Sequence, residues 1–124
     1  GGRILSAGKQ AEGPDSTWKL TMPEDLGEES VMQKLLKQFD VILIEADGSK
    51  RLPLKVPSET EPVLVPQTGL IIACAGLTAA GNQFGDTCFR FSSHGSWLHR
   101  NVDDAIGAED MALILMDERG SRKV

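Results

Sequence analysis

Two acidic side chains lie two positions apart, at Glu45 and Asp47, at the start of a densely charged segment. In an extended backbone, alternate residues point to the same side, so both carboxylates would face one crevice. Carboxylates in that arrangement can hold a hydrated Mg²⁺ or take up a proton. We therefore predict that Glu45 and Asp47 are catalytic or metal-binding groups that orient Mg²⁺ or a water molecule.

Cations follow these acids within a few residues. Gly48 permits a tight turn, and Pro53 opposes immediate entry into a helix. A mixture of acids and cations suits a phosphate-bearing or other anionic ligand held together with a metal. The alternative is a solvated, charged turn that binds nothing. The residues predicted to bind the cofactor are Gly48, Ser49, Lys50, Arg51, Lys55 and, further along the chain, Arg90.

Two apolar runs are expected to position this segment. Val41–Ile44 and Leu70–Ala75 are continuous and apolar, which is typical of strands buried on both faces. In an open α/β sheet, ligands bind in the crevice beyond the carboxyl ends of the strands. Glu45 directly follows the first run, so the charged segment would open onto such a crevice.

Helices are predicted on either side of these runs. Residues 28–39 carry apolar side chains at helical spacing, and residues 105–116 form a second apolar, helical segment with Gly120 as its stop. Residues 8–25 are expected to be loop, with a short strand near residues 18–20. This order predicts a three-layer α/β fold with a mainly parallel sheet. The alternative is an α+β domain with an antiparallel sheet.

Length and composition set the remaining bounds. The 124 residues, 40% hydrophobic and 25% charged, suit one globular domain, predicted to span residues 1–124. The net charge of −5 disfavours nucleic acid and anionic membranes as partners. No apolar run approaches the ~20 residues that span a bilayer, so we expect a cytoplasmic protein. The chain starts without Met, and both ends suggest an interior fragment of a longer protein; the oligomeric state stays open.

Two features suggest other chemistry and are discounted. Residues 76–81 have the Gly-x4-Gly spacing of a phosphate loop, but Asn82 and Gln83 stand where Lys and Ser or Thr are required. A tight turn is the better interpretation. The two cysteines and two histidines lack the short paired spacing of structural zinc sites. We therefore expect free thiols, with Cys74 as a small core residue inside its apolar run.

Four apolar residues followed by Glu-x-Asp-Gly-Ser resemble the first motif of haloacid-dehalogenase phosphatases, Asp-x-Asp-Gly-Thr. The resemblance implies a phosphatase whose first Asp is the nucleophile, with Asp103-Asp104 or Glu109-Asp110 as the distal acidic motif. Glu45 replaces that nucleophile here. Its extra methylene would displace the attacking oxygen.

A longer run, Glu45-Ala46-Asp47-Gly48-Ser49-Lys50-Arg51-Leu52-Pro53-Leu54-Lys55, continues with Pro57, Glu61-Pro62, Pro66 and Thr68. Together with the later Gly76-Leu77-Thr78-Ala79-Ala80-Gly81, it resembles the YqeC family, which are accessory proteins for selenium-dependent molybdenum hydroxylases. The chain has Thr60 where the family usually has His, and Phe89 where a His precedes Arg90.

The YqeC resemblance implies an incomplete P-loop NTPase-like fold and a role in maturing a selenium-containing molybdenum hydroxylase. It implies ATP or GTP with Mg²⁺ as cofactors, and nucleotide hydrolysis by the full-length protein. The expected partner is the client molybdenum enzyme or a cofactor intermediate. A second hypothesis is a non-enzymatic carrier or chaperone for an anionic molybdenum cofactor, and the third is the phosphatase.

Overall fold

In the computed structural model, residues 9–12, 18–21 and 25–122 are described. Contacts within the chain define two units. The smaller unit comprises Gly1–Leu43 with Val65–Gln67, and the larger comprises Ile44–Leu64 with Thr68–Val124.

The smaller unit contains two short strands, β1 (Lys9–Glu12) and β2 (Trp18–Thr21). They pair antiparallel, with Lys9 opposite Thr21 and Glu12 opposite Trp18. The predicted strand near residues 18–20 is therefore confirmed. The assignment of residues 9–12 to a loop is wrong, because these residues supply the backbone partners that β2 needs.

Helix α1 (Glu29–Leu36) completes the smaller unit. Glu29 lies in its first turn and Lys34 in its last, where each charge opposes the helix dipole. Met32 is buried, and the Gln67 side chain donates a 2.8 Å hydrogen bond to Glu29. The amphipathic helix predicted over residues 28–39 is confirmed, although it ends three residues earlier.

The larger unit contains a parallel strand pair and several short helices. Strands β3 (Leu54–Lys55) and β4 (Cys88–Phe89) pair in parallel, with Leu54 opposite Cys88 and Lys55 opposite Phe89. The helices are α2 (Phe84–Thr87), α3 (Phe91–His94) and α4 (Ala108–Met116), with 3₁₀ turns at Leu77–Ala79 and Ser96–Leu98. A parallel pair with helices is compatible with the predicted α/β class, although this sheet has two strands and the β1–β2 pair is antiparallel.

The core of the larger unit forms where these short elements meet. Phe84 is completely buried, and its ring stacks on Phe91 with centroids 4.3 Å apart. Aromatic stacking contributes beyond the burial of area alone. The other buried members of this core are Leu54, Val56, Ala79, Cys88, Leu98, Ile106, Met111 and Ile114.

The two apolar runs predicted to be buried strands are not strands in the described structure. Val41 is 70% exposed and Leu43 is 89% exposed in the first run; Leu70 is 77% exposed in the second. A strand buried on both faces needs paired neighbours and covering side chains. No described strand pairs with either run. The parallel sheet instead uses β3 and β4.

The turn predicted at residues 76–81 is present and is held against the start of β3. The Gly76 N–H donates a 2.6 Å hydrogen bond to the Pro53 carbonyl. A Cβ at Gly76 would lie 2.8 Å from the Pro53 side chain, so glycine permits this approach.

Helix α4 begins later than predicted, at Ala108 instead of Ala105, because the chain is capped there by a buried carboxylate. Asp110 is only 2% exposed and accepts hydrogen bonds from the Gly107 N–H at 2.9 Å and from Arg100 at 2.8 Å. Both contacts satisfy a charge that would be costly to bury alone.

None of the helices in the described part of the chain has the length and apolar character to cross a bilayer.

We predict that Cys74 and Cys88 differ sharply in reactivity. Cys74 is exposed, which contradicts its assignment to the core, whereas Cys88 is buried in β4. Burial raises the pKa of Cys88 to about 12, which a backbone hydrogen bond with Val56 offsets only in part. A disulfide reagent at pH 8 should therefore modify one thiol rapidly and the other only after denaturation. Protection of both thiols, or a fast-reacting thiol that survives Cys74→Ser, would contradict this exposure.

Phe84→Ala should destabilise the protein by about 3–5 kcal/mol, the usual range for loss of a fully buried aromatic ring. Leu77→Ala provides the control, because Leu77 is 84% exposed and should change the free energy of unfolding by less than about 0.5 kcal/mol. Urea unfolding of the two variants measures the difference. Similar midpoints for both would show that the Phe84–Phe91 stack does not organise the core.

Candidate functional site

The parallel pair β3–β4 presents two side chains away from the core. Leu54 and Cys88 face the core and are 2% and 3% exposed. Because side chains alternate along a strand, the next pair in register, Lys55 and Phe89, points to the other side. The strand pair therefore places a cation beside an aromatic ring.

The Lys55 ammonium lies among three oxygen acceptors. Its Nζ is 2.9 Å from Asp47 Oδ2, 2.8 Å from Glu61 Oε2 and 3.0 Å from the Gly48 carbonyl oxygen. An ammonium carries three donors, so these contacts satisfy all of them. Only 10% of the Lys55 side chain is exposed, and the two carboxylates supply the compensation that a charge so removed from water requires.

Glu61 joins Lys55 to a second cation. Glu61 Oε2 also accepts a hydrogen bond from the Arg90 guanidinium and one from the Ser58 N–H at 3.3 Å. Burial alone would raise the pKa of Glu61, but the hydrogen bonds from Lys55 and Arg90 outweigh it and lower the pKa to about 2. Glu61 is therefore an anion throughout the neutral pH range.

Three cations surround the Phe89 ring. Lys50 Nζ lies 5.0 Å from the ring centroid, the Arg90 guanidinium carbon 4.8 Å and Lys55 Nζ 5.9 Å. These distances allow cation–π attraction, which holds positive charge at the ring faces. We call the group Asp47, Lys50, Lys55, Glu61, Phe89 and Arg90 the Lys55 cluster.

The backbone around the Lys55 cluster adopts a conformation that side chains usually avoid. Lys50 and Arg51 have φ of 53° and 64°, and Arg90 has φ of 62°. The Leu52 N–H donates to the Ser49 carbonyl at 3.0 Å, which closes a turn with the φ signs of a type I′ turn. Each such residue costs on the order of 1 kcal/mol or more, and strain of this kind tends to collect at functional sites.

The structure brings together five of the eight predicted site residues: Asp47, Gly48, Lys50, Lys55 and Arg90 contact one another or the same ring. Gly48 contributes its carbonyl oxygen and has no positive φ, so Lys50 and Arg51, not Gly48, make the tight turn. Ser49 supports that turn, with its hydroxyl donating to the Leu52 carbonyl at 2.8 Å.

The other two predicted site residues lie outside these contacts. Arg51 is exposed and forms no ion pair with a described residue. Glu45 is also exposed and takes no part in the network around Lys55. The expectation that both acids meet the cations therefore holds for Asp47 only.

Two members of the Lys55 cluster were missed as site residues. Glu61 lies six positions beyond Lys55, and its place in the Glu61-Pro62 part of the YqeC-like segment was the available signal. Phe89 stands beside the predicted Arg90, and an aromatic residue next to a cation was the available signal. Neither signal shows that a loop folds back to place Glu61 between Lys55 and Arg90.

The described side chains would not hold a magnesium ion by themselves. Among the described residues, no group of three or more potential metal ligands comes together. Mg²⁺ is commonly held by one or two carboxylates, several waters and substrate phosphates. Asp47 and Glu45 are hard oxygen donors of this type, although one oxygen of Asp47 already accepts a hydrogen bond from Lys55.

The acidic pairs that resemble a distal phosphatase motif have structural contacts. Asp104 accepts a hydrogen bond from the Asn101 N–H at 2.7 Å, and Asp110 is paired with Arg100.

Ser93 and His94 form a 2.8 Å contact between the Ser hydroxyl and ring Nδ1. They are adjacent residues in a four-residue helix, and among the described residues no acidic side chain forms a hydrogen bond or ion pair with His94.

Glu61→Gln should change how stability depends on pH. The folded-state pKa of Glu61 lies below its ordinary value of 4.5, so the ionised carboxylate stabilises the fold above about pH 4.5. That contribution is lost as the pH falls toward 2. Urea unfolding between pH 3 and 7 should show the difference between wild type and Glu61→Gln shrinking below pH 4.5. Glu118→Gln, an exposed control, should run parallel to wild type; equal slopes for all three would refute the ion pairs.

All residues of the Lys55 cluster lie within the part of the chain that matches a known protein family. The model of the YqeC family, described as YqeC protein, matches residues 2–92. The Uncharacterized protein YqeC of Escherichia coli (strain K12) is 32% identical over 87 residues, which cover 69% of this chain and 34% of that protein. The chain thus spans about a third of the length of this relative. No solved structure gives a significant match. With about three quarters of its length matched by the family model, the chain belongs to the YqeC family.

Proposed function

We propose that this protein is an accessory protein in the maturation of a selenium-containing molybdenum hydroxylase, in which the Lys55 cluster holds the phosphate groups of ATP or GTP. The maturation role is what the resemblance to accessory proteins of that class implies. The client enzyme, or an intermediate of its cofactor, is the proposed partner. The nucleotide role is supported by the charge and geometry around Lys55.

The observation that carries the proposal is the concentration of cations on one side of β3 and β4. Four cations, at Lys50, Arg51, Lys55 and Arg90, belong to this side or to the adjoining turn. The chain as a whole is acidic, with a net charge of −5. A local cationic surface on an acidic protein favours a compact anion over an extended polyanion.

The four cations differ in whether a carboxylate of the protein already neutralises them. Lys55 and Arg90 are paired with Asp47 and Glu61. Lys50 and Arg51, by contrast, form no ion pair with a described residue and sit on a strained turn. Charge-assisted hydrogen bonds to phosphate are among the stronger polar contacts in proteins. The turn is therefore the proposed first point of contact.

Magnesium would accompany the nucleotide in this proposal. Asp47 and Glu45 would hold it, with phosphate oxygens and water as the other ligands. When bound, the metal supplies neutralisation of phosphate charge. Asp47 would then orient both the ion and Lys55, to which it is already hydrogen-bonded.

We also propose that the chain is part of a three-layer, P-loop NTPase-like fold. The parallel pairing of β3 with β4 supports this, because parallel strands need a long crossover connection, and the one here carries a 3₁₀ turn and the short helix α2. Lys55 is the last residue of β3 and Arg90 directly follows β4, so both cations lie at the carboxyl ends of parallel strands, where α/β proteins bind ligands. The phosphate loop itself is not present in these 124 residues.

A carrier without catalysis is the second candidate, and one observation favours it. Asp47 and Glu61 both accept hydrogen bonds from cations, so neither carboxylate is available as a free base. A site of this type suits holding an anionic cofactor more than transforming it. Phosphate release from ATP or GTP that is lost in Asp47→Asn would favour the enzyme. Tight binding without turnover would favour the carrier.

The double substitution Lys50→Ala with Arg51→Ala should weaken nucleotide binding by tenfold or more. Each cation–phosphate contact contributes about 1.5–3 kcal/mol when the charges meet, and about 1.4 kcal/mol corresponds to tenfold in Kd. Titration of fluorescent ATP and GTP analogues into the purified full-length protein, with and without Mg²⁺, measures the change. Arg122→Ala is the matched control, since Arg122 is exposed in the same unit. Binding that survives the double substitution, or no binding by wild type, would defeat the nucleotide proposal.

A further inference from the structure

One oxygen of Glu61 receives an unusual set of donors. Glu61 Oε2 accepts from the Lys55 ammonium at 2.8 Å, from the Arg90 guanidinium and from the Ser58 backbone N–H at 3.3 Å. An ammonium, a guanidinium and a backbone amide are the groups that proteins use to bind a phosphate oxygen. The donors around Glu61 therefore form an oxyanion pocket filled by a carboxylate of the same chain.

The pocket is built into the fold and is not a chance meeting of surface chains. The Lys55 and Glu61 side chains are only 10% and 17% exposed. Lys55 is fixed by its place in β3, and Arg90 directly follows β4. Because Lys55 lies in β3 and Arg90 directly follows its parallel partner β4, the strand pair sets the spacing of their backbones.

Glu61 itself comes from a different kind of segment. It lies outside the strands and helices, and its neighbours Glu59 and Thr60 are exposed. The Glu61 N–H donates to the Ser58 carbonyl at 3.2 Å, so a local turn carries the carboxylate. The anion can therefore leave the pocket by movement of a turn while the two strands stay in place.

We propose that Glu61 is an internal stand-in for the ligand, and that a tetrahedral oxyanion such as a phosphoryl group displaces it from Lys55 and Arg90. This deepens, and rests on, the proposed function of the Lys55 cluster. A phosphoryl group has several oxygens and up to two charges, so it can engage Lys55 and Arg90 together. It can also reach Lys50, which shares the Phe89 ring with them.

If a ligand must displace Glu61, then Glu61 competes with that ligand and weakens its binding. Its carboxylate is ionised at neutral pH, since the pKa of Glu61 is about 2, so it competes with any incoming anion. The competing group is covalently attached and therefore present at high effective concentration. Free phosphate at low concentration should bind poorly, whereas a ligand with additional contacts, such as a nucleotide, can overcome the competition.

The test compares inorganic phosphate binding to wild type, Glu61→Gln, and Glu61→Gln combined with Arg90→Ala, by calorimetry at pH 7.5 on the full-length protein. Glu61→Gln keeps the shape and removes the competing charge. It should lower the Kd for phosphate about tenfold or more, which corresponds to about 1.4 kcal/mol. The additional Arg90→Ala change should abolish that gain. Glu118→Gln, with the same change in net charge, should bind as wild type does.

A measurement on the unaltered protein makes the test independent of the variants. Displacement of Glu61 removes the hydrogen bond from the Ser58 amide and changes the partner of the Arg90 guanidinium. Saturating phosphate or ATP should therefore shift the Ser58 amide and Arg90 side-chain nitrogen resonances. Unchanged resonances at saturation, or a folded Glu61→Gln that binds phosphate no better than wild type, would overturn the displacement.

The outcomes separate this inference from the proposed function. Tighter phosphate binding by Glu61→Gln, with no binding of ATP or GTP to any variant, would support the oxyanion pocket and reject the nucleotide. Nucleotide binding that depends on Lys50 and Arg51 but not on Glu61 would reject the displacement and support the nucleotide. Comparison of inorganic phosphate with ATP identifies which source of phosphate the pocket takes.

Discussion

The Lys55 ammonium, held between Asp47 and Glu61, is the constraint around which the larger unit is organised. A cation with so little exposure is tolerated only while its donors are satisfied. It ties the segment that precedes β3 to the loop that follows β3. Through Glu61 it also reaches Arg90 at the end of β4. One charge therefore connects three stretches of chain: the segment before β3, the loop after it and the end of β4.

The two faces of the β3–β4 strand pair differ in character, one being apolar and the other charged. Leu54 and Cys88 pack into the core on one face, and on the other face Lys55 carries a positive charge beside the Phe89 ring. The YqeC family match over residues 2–92 covers both faces.

Sequence patterns predicted the elements that depend on local signals. Helices α1 and α4 follow from apolar spacing and acidic first turns, and five of the eight predicted site residues meet in space. The prediction that Val41–Ile44 and Leu70–Ala75 form buried strands was wrong. Both runs have the composition of such strands, but composition does not supply a pairing partner. Glu61 could not be assigned from sequence, since its role depends on a loop that returns to β3. Long-range contacts of this kind leave no periodic trace.

The turn at Lys50 and Arg51 has a consequence for how this segment can vary. Asn and Gly are the residues preferred in a type I′ turn, because they adopt positive φ with little strain. Such a pair would make the loop more stable and would remove both charges. Lys50 and Arg51 therefore combine a less favourable backbone with two positive charges that Asn and Gly would not provide.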